Sequence, residues 1–381
     1  MSLEKSFCIL PFNHLATHPD GKVTPCCESK EYFAKTKGKV LELGKATIND
    51  IRRSDSFNTL RQDMLEGKLH QACNFCYERE KAGLISKRYR ENQKYNVDYS
   101  DIEVYKQLPL QSIELRLGNV CNAKCVICHP KSSSKWNEDI TSELIKVDRS
   151  YHKNIITNTW FRSDVFYQEI LDHAPLIRHL WFNGGEPLLI KEHLKFLKQL
   201  VDLNVTTNIE LEYHTNGSLI TEEIIKLWNK FKFTKITLSL DDIDERFNYS
   251  RFPLTFDQVK NGIELLKKNN IYYDIIPTIN LLNVYNITNI YEYFNNRYAK
   301  ECKFNYLRVP KFQSIVNLPE KIKKEILENS RLPKNLYEEL KYELYSVEGE
   351  GLTKAVNFYR TLDRQRGVSL EEYLPEWNQY F

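Results

Sequence analysis

Three cysteines, Cys121, Cys125 and Cys128, fall in one short run, Cys-Asn-Ala-Lys-Cys-Val-Ile-Cys. Gaps of three and two residues let a single loop present three thiolates to three corners of a cubane iron–sulfur cluster. A [4Fe–4S] cluster ordinarily takes four thiolates, so a local set of three leaves one iron open to an outside ligand. The competing chemistry is a structural zinc loop, which needs four ligands and favours paired Cys-x2-Cys knuckles. His129 would supply the fourth, but it adjoins Cys128, an awkward geometry for one tetrahedron.

The other thiols are Cys8, Cys26, Cys27, Cys73, Cys76 and Cys302, and all of these except Cys302 lie before the three-cysteine run. In a long chain with no export signal, clustered thiols read as metal ligands rather than disulfides. Cys302 stands alone and reads as a buried core thiol. The chain has 381 residues, 41% of them apolar, enough for a sizeable core, and two units are the default expectation. Lys and Arg number 54 against 51 Asp and Glu, and a net charge of +3 gives no reason to expect nucleic acid as a partner. No apolar run approaches the roughly 18 residues that span a bilayer, and Met1–Ser6 has no signal-peptide core. A cytoplasmic enzyme without a membrane partner is the expected class.

These thiols need elements to position them. Asp20-Gly21 marks a turn between extended pieces at 14–17 and 22–24, and apolar spacing predicts a helix over 48–66. Residues 1–109 therefore read as a small cysteine-rich domain tied together by metal more than by a large core. From Ser112 strands alternate with helices: strands at 112–117, 179–182, 209–213, 235–240, 273–279 and 304–309, helices at 163–173, 191–203, 221–230, 256–269 and 287–298. The predicted fold class is α/β, a partial (β/α)6 barrel over 110–318 with parallel strands and helices outside. Residues 319–381 read as a helical C-terminal extension ending in an aromatic tail, 377–381. The three-cysteine loop follows the first barrel strand, and parallel α/β folds place their chemistry at the C-terminal strand ends.

The Cys-x3-Cys-x2-Cys spacing resembles that of the radical S-adenosylmethionine (SAM) superfamily. The resemblance implies that the amino and carboxylate groups of SAM complete the fourth iron. The reduced cluster would then cleave SAM to methionine and a 5′-deoxyadenosyl radical, which abstracts hydrogen from substrate. Many members place an aromatic residue before the third cysteine, against the adenine; here Ile127 would make an aliphatic contact. Gly184-Gly185-Glu186-Pro187, after the second strand, resembles the family's motif for the SAM amino group, with Glu186 as second contact. Thr215 and Asn216 of His214-Thr215-Asn216-Gly217 resemble its turn near SAM, although Asn-Gly equally fits an ordinary turn. By the same resemblance Ser239 and Asp241 meet the ribose and Arg251 the methionine carboxylate, for which a guanidinium fork is suited. Asp241 and Asp242 also fit a solvated turn. Thr278 and Asn280 close the fifth strand, and the resemblance implies that Leu307-Arg308-Val309, in the sixth, borders the adenine.

Phe7-Cys8, Asp20-Gly21-Lys22-Val23-Thr24-Pro25-Cys26-Cys27 and Cys73-Asn-Phe-Cys76 resemble the auxiliary SPASM and twitch domains of radical SAM enzymes, here placed before the barrel. The tail from Leu362-Asp363 and Arg366 to Leu374-Pro375-Glu376-Trp377 resembles twitch-type proteins as well. The resemblance implies a second, auxiliary iron–sulfur cluster, expected to be [4Fe–4S], on Cys8, Cys26, Cys73 and Cys76, with Cys27 spare. Neighbouring side chains in an extended piece point opposite ways, so the choice between Cys26 and Cys27 stays open. Three ligands with one open iron, or a structural zinc module, are the alternatives. The substrate is expected to be a small molecule or a peptide, with an external electron donor of the flavodoxin or ferredoxin type. Only seven residues precede Cys8, leaving no room for a leader-binding domain and favouring a small molecule or a stand-alone peptide substrate, with RiPP-type peptide modification through a separate leader-binding partner as the alternative. The non-enzyme alternative is a metal-stabilised binding protein without radical activity. Tyr213, His214 and Asn280 are the residues expected at the barrel mouth.

Overall fold

The computed structural model describes residues 3–29, 31–153, 155–298 and 302–378. The last part of the aromatic tail, 379–381, lies outside the described residues. The chain is α/β with mostly parallel strands, and it divides into two compact units: 1–118 with 156–213 and 227–234, and 119–155 with 214–226 and 235–381. Among the described residues no helix is long and apolar enough to cross a membrane.

In the first unit the hairpin strands His14–Thr17 and Val23–Thr24 pair antiparallel. His14–Thr17 also pairs in parallel with Ser112–Arg116, so the hairpin extends the same sheet that the first barrel strand belongs to. Ser112–Arg116 pairs in parallel with His179–Asn183, which pairs in parallel with Glu210–Thr215. Because strand side chains alternate, Leu180, Phe182, Leu211 and Tyr213 turn into one buried apolar layer. Glu114, Trp181 and Glu212, aligned in register, occupy the other face. Tyr213 is fully buried, stacked on Phe182, with its hydroxyl 3.1 Å from His193 Nε2. The expected mouth position of Tyr213 is therefore corrected: strand alternation sends it to the helix-covered face.

The helix expected over 48–66 is two helices, Ile48–Arg52 and Asp55–Leu65. Ser54 breaks the run by taking an extended ψ of 148° at the N-cap of the second helix. Leu60 and Met64 from that helix pack with Phe7, Cys8, Ile9, Leu10 and Phe12 in a buried apolar cluster. The cysteine-rich segment thus has a core of its own, and Cys8 is part of it.

In the second unit Lys235–Leu238 pairs in parallel with Tyr272–Ile275, and Thr278–Ile279 with Asn305–Tyr306. The fifth expected strand is interrupted at Ile276-Pro277, since Pro277 has no N–H to donate to a ladder. The helix Phe256–Lys268 opens with a capping box between Thr255 and Gln258 and buries Val259, Gly262, Ile263 and Leu266. A Cβ at Gly262 would stand 2.3 Å from the carbonyl oxygen of Gly217, so this glycine lets the helix press directly on the Thr215–Gly217 turn. Gly262→Ala should push helix and turn apart and cost about 1–3 kcal/mol, read as a lowered urea midpoint with an unchanged slope.

Candidate metal centres

The loop 121–128 has no regular structure, and its backbone is held by neighbours instead. Lys124 N–H donates to Phe252 O at 2.8 Å and Val126 N–H to Ser250 O at 2.8 Å. Five side chains close on its carbonyls, among them Trp136 Nε1 on Cys125 at 3.0 Å, Gln313 Nε2 on Val126 at 3.2 Å and Tyr151 hydroxyl on Cys128 at 3.0 Å. Ser133 Oγ donates to Ala123 O at 2.6 Å and Arg366 Nη2 to Lys124 O at 2.7 Å. With these groups satisfied, the backbone fixes where each Cα–Cβ bond points, and each thiol is left only its side-chain rotamers. None of the clamping residues Trp136, Tyr151 and Gln313 stood out in the sequence. Arg366 alone belonged to a noted motif.

Burial pushes the thiols of Cys125 and Cys128 up, and the nearby thiols of Cys125 and Cys121 raise Cys128 further. The structure thus brings the three together, and the buried positive charge of Arg251 pulls both Cys125 and Cys128 back toward the thiolate. Arg251 Nε lies 2.7 Å from Asp241 Oδ2, off the hydrogen-bonding angle, so the contact is ionic. Asp241 Oδ1 accepts the N–H of Thr278 at 2.9 Å and its carbonyl the Nδ2 of Asn283 at 2.6 Å. Asp241 is fully buried in this pairing and lies in no solvated turn. Asp242 is buried too, its carboxyl pushed up by burial to about 6, against Arg246 at 3.1 Å.

His129 is engaged away from the thiols: its Nε2 lies 3.2 Å from Ser150 Oγ and its Nδ1 accepts the N–H of Lys131 at 3.2 Å. Among the described residues no three His, Cys, Asp or Glu side chains converge on a single-ion geometry. A cluster sets each thiolate on a different iron, whereas zinc draws four ligands around one point, so the donor set suits a cluster better. Ile127 is half-buried in the same loop.

Thr215 Oγ1 accepts the N–H of Gly217 at 3.1 Å. Asn216 Nδ2 donates to Asn122 Oδ1 at 2.8 Å, and Asn122 Nδ2 donates to Ser218 Oγ at 2.9 Å. This turn is therefore knitted to the residue after Cys121. Ser239 N–H donates to Thr215 O at 3.0 Å. Asn280 is buried and spent on local bonds to Thr278 O and Leu282 N–H.

In the first unit Gly184 has φ +125°, and a Cβ there would meet Leu117 N at 2.9 Å and Gly118 O at 3.0 Å. Gly185 N–H donates to Gly118 O at 3.3 Å. Glu186 is buried and caps the short helix Pro187–Leu189, its Oε1 accepting Leu188 N–H at 3.2 Å.

Cys8, Cys26, Cys73 and Cys76 also lie in the first unit. Burial raises the thiol of Cys8, and Cys73, Cys26 and Cys76 are near enough to raise it further. Burial likewise raises Cys73, then Cys26 and Cys76. The backbone N–H groups of Leu10 and Arg88 point at the sulfurs of Cys8 and Cys76. Cys27 turns elsewhere: its sulfur takes a hydrogen bond from Lys87 Nζ at 3.1 Å, and Lys87 lies 3.9 Å from the fully buried Glu114 and over the ring of Trp181. Burial works against the Glu114 carboxylate, but Arg116, Lys87 and His14 outweigh it and hold the group at about 2. The thiol of Cys27, raised by burial and then by Glu114, is neutral beside this pair.

Residues 115–294 match the Radical SAM superfamily, and residues 8–77 match an iron–sulfur cluster-binding domain, SPASM. The chain carries a radical SAM domain. Such a domain takes a [4Fe–4S] cluster and SAM, and the SPASM domain before it takes an auxiliary iron–sulfur cluster. An AdoMet-dependent heme synthase of Methanosarcina barkeri is 25% identical over 181 residues, 47% of this chain and 45% of its own. A probable GTP 3′,8-cyclase of Methanocella arvoryzae is 26% identical over 161 residues, 41% of this chain and 43% of its own. An S-adenosylmethionine-dependent nucleotide dehydratase of Lacinutrix mariniflava is 37% identical over 98 residues, 26% of this chain and 18% of its own. The chain spans less than half the length of each of these relatives.

The opposite aims of Cys26 and Cys27 give a direct test. After anaerobic reconstitution, Cys26→Ser should lower bound iron by about half, one cluster of two, while Cys27→Ser keeps the wild-type iron content and visible absorption.

Proposed function

We propose that this protein is a radical SAM enzyme that abstracts hydrogen from a small-molecule substrate, with its SAM-binding cluster on Cys121, Cys125 and Cys128. The auxiliary cluster in this reading is held by Cys8, Cys26, Cys73 and Cys76 within residues 1–109. The barrel is 110–318, and 319–381 is the helical extension. The observation that carries the proposal is the three-thiol loop, immobilised through its backbone beside a buried arginine, in a chain with a radical SAM domain. When bound, the cluster and SAM supply a 5′-deoxyadenosyl radical.

The chain's own part is to bind, orient and exclude water. Trp136, Tyr151 and Phe358 wall the loop on one side with packed rings, which keeps bulk water from the thiolates. Arg251 offsets their negative charge, and Asp241 holds Arg251 in place. The proposed SAM contacts are Gly184, Gly185, Glu186 and Pro187, with Thr215, Asn216, Ser239, Asp241, Arg251 and Ile127. The small-molecule reading is supported by the names of the three relatives, which make or act on heme, GTP and nucleotides. The electron donor is proposed to be of the flavodoxin or ferredoxin type.

The test is reductive cleavage of SAM by the reconstituted protein, read as 5′-deoxyadenosine by chromatography. Wild type should form it and Cys121→Ala should not, while Cys302→Ala, a buried thiol outside both groups, should retain it. A protein that loads zinc at both sites and releases no 5′-deoxyadenosine sinks the proposal.

A further inference from the structure

In the first unit the helices Ile48–Arg52 and Asp55–Leu65 and the segment 106–108 line a cleft of about 460 Å³, within the size range of small-ligand sites. Its charged lining is Arg52, Arg53, Arg61 and Lys106, with no acidic side chain. Lys106 is paired with Glu103 at 2.5 Å. The three arginines form no ion pair with any described carboxylate. Arg52 donates to the carbonyls of Phe12 at 3.0 Å and Leu108 at 2.7 Å. Arg61 donates to Pro11 O at 3.2 Å, Asn58 Oδ1 at 2.7 Å and Arg52 O.

Neutral oxygens orient a guanidinium without cancelling its charge. The crowding is felt: burial and then Arg53 lower Arg52, and burial and then Arg52 bring Arg61 down to about 10. Stapling backbone carbonyls accounts for Arg52 and Arg61 singly. It does not account for Arg53 beside them, or for a concave wall of like charge whose neutral polar members, Asn49, Asn58, Gln62 and Gln107, all carry N–H donors. Guanidinium forks match phosphate oxygens, and three adjacent guanidinium groups outside any ion pair, with only Asp50 in electrostatic reach of Arg53, match a compact, multiply charged anion. We propose that this cleft binds the polyphosphate group of a small ligand. No cysteine lines the cleft, and the proposal does not rest on radical chemistry.

The probe is inorganic pyrophosphate, titrated into the full chain by calorimetry at low ionic strength. Arg53 is exposed and staples nothing, so Arg53→Glu should fold as wild type does, checked by its melting temperature. Pyrophosphate should bind at one site and weaken by about tenfold or more in Arg53→Glu. Arg149→Glu, an exposed charge reversal in the second unit, should leave binding unchanged. Absence of binding, equal binding by Arg53→Glu, or citrate binding as tightly as pyrophosphate would overturn the proposal.

Discussion

Arg366 lies against the rings of both Trp136 and Phe252, about 5 Å from each, with Nε on Asp139 and Nη2 on the carbonyl of Lys124. A guanidinium so placed makes two ring contacts and two charge-assisted or polar bonds at once, each strengthened by desolvation. Asp139 also takes Lys124 Nζ at 2.5 Å, so one buried carboxylate bridges Arg366, at the end of the helix Thr353–Arg366, and the side chain of Lys124 in the cysteine loop. The same helix supplies Tyr359, whose hydroxyl donates to Gln313 Oε1, while Gln313 Nε2 donates to the loop at Val126. Asp363 accepts the hydroxyl of Tyr249 and the N–H of Leu370. The segment after 319 is therefore a wall of the cysteine loop. Removing the Arg366 charge would leave Asp139 with Lys124 alone and would free the Lys124 carbonyl inside a dry site.

The second cysteine group is organised by a different constraint. Cys26 and Cys27 lie in the turn after the strand Val23–Thr24, closed by Ser29 N–H on Cys26 O at 3.2 Å, and their sulfurs meet different groups. One lies among the thiols of Cys8, Cys73 and Cys76, with Ser29 Oγ at 3.1 Å. The other meets a lysine–glutamate pair set on the polar face of the sheet, where Asn183 Nδ2 also reaches Glu114 at 3.0 Å. A change at either cysteine is thus expected to act on a different set of groups, although the two are adjacent in sequence.

The thiol loop, the glycine-rich turn and five of the six strands with their helices were legible because their signals are local: a spacing, a φ requirement or an apolar period. Gly184 needs a positive φ and an open Cβ position, and the pattern Gly-Gly-Glu-Pro carries both. What was not legible depends on partners far along the chain. Arg251 and Asp241 read as two separate ligand contacts, yet their ten-residue separation brings them into one ion pair. Trp136, Tyr151 and Gln313 read as ordinary residues because their role is a hydrogen bond to a carbonyl, and carbonyls leave no trace in sequence. The pairing of His14–Thr17 with Ser112–Arg116 crosses nearly a hundred residues, and a short strand does not announce its partner. The break at Ser54 was local: the apolar steps of three and four residues are interrupted by a gap of six from Ile51 to Phe57.

How far metal loading and folding depend on each other follows from these contacts. The thiols of Cys8, Cys73, Cys125 and Cys128 are all pushed up by burial, so without metal they are neutral and their proximity carries no repulsion. Were these thiols to hold iron as proposed, iron would displace their protons, and loading would be favoured as pH rises. A small cysteine-rich segment with no core would need that binding energy to fold at all. Here Cys8 sits inside an apolar cluster with Leu60 and Met64, and Arg88 reaches the carbonyls of Glu4 and Phe7 while pairing with Glu80. The loop at 121–128 is likewise bound through its backbone, by groups that do not touch the sulfurs. Around both groups of cysteines the path of the chain is thus specified by ordinary packing and backbone hydrogen bonding.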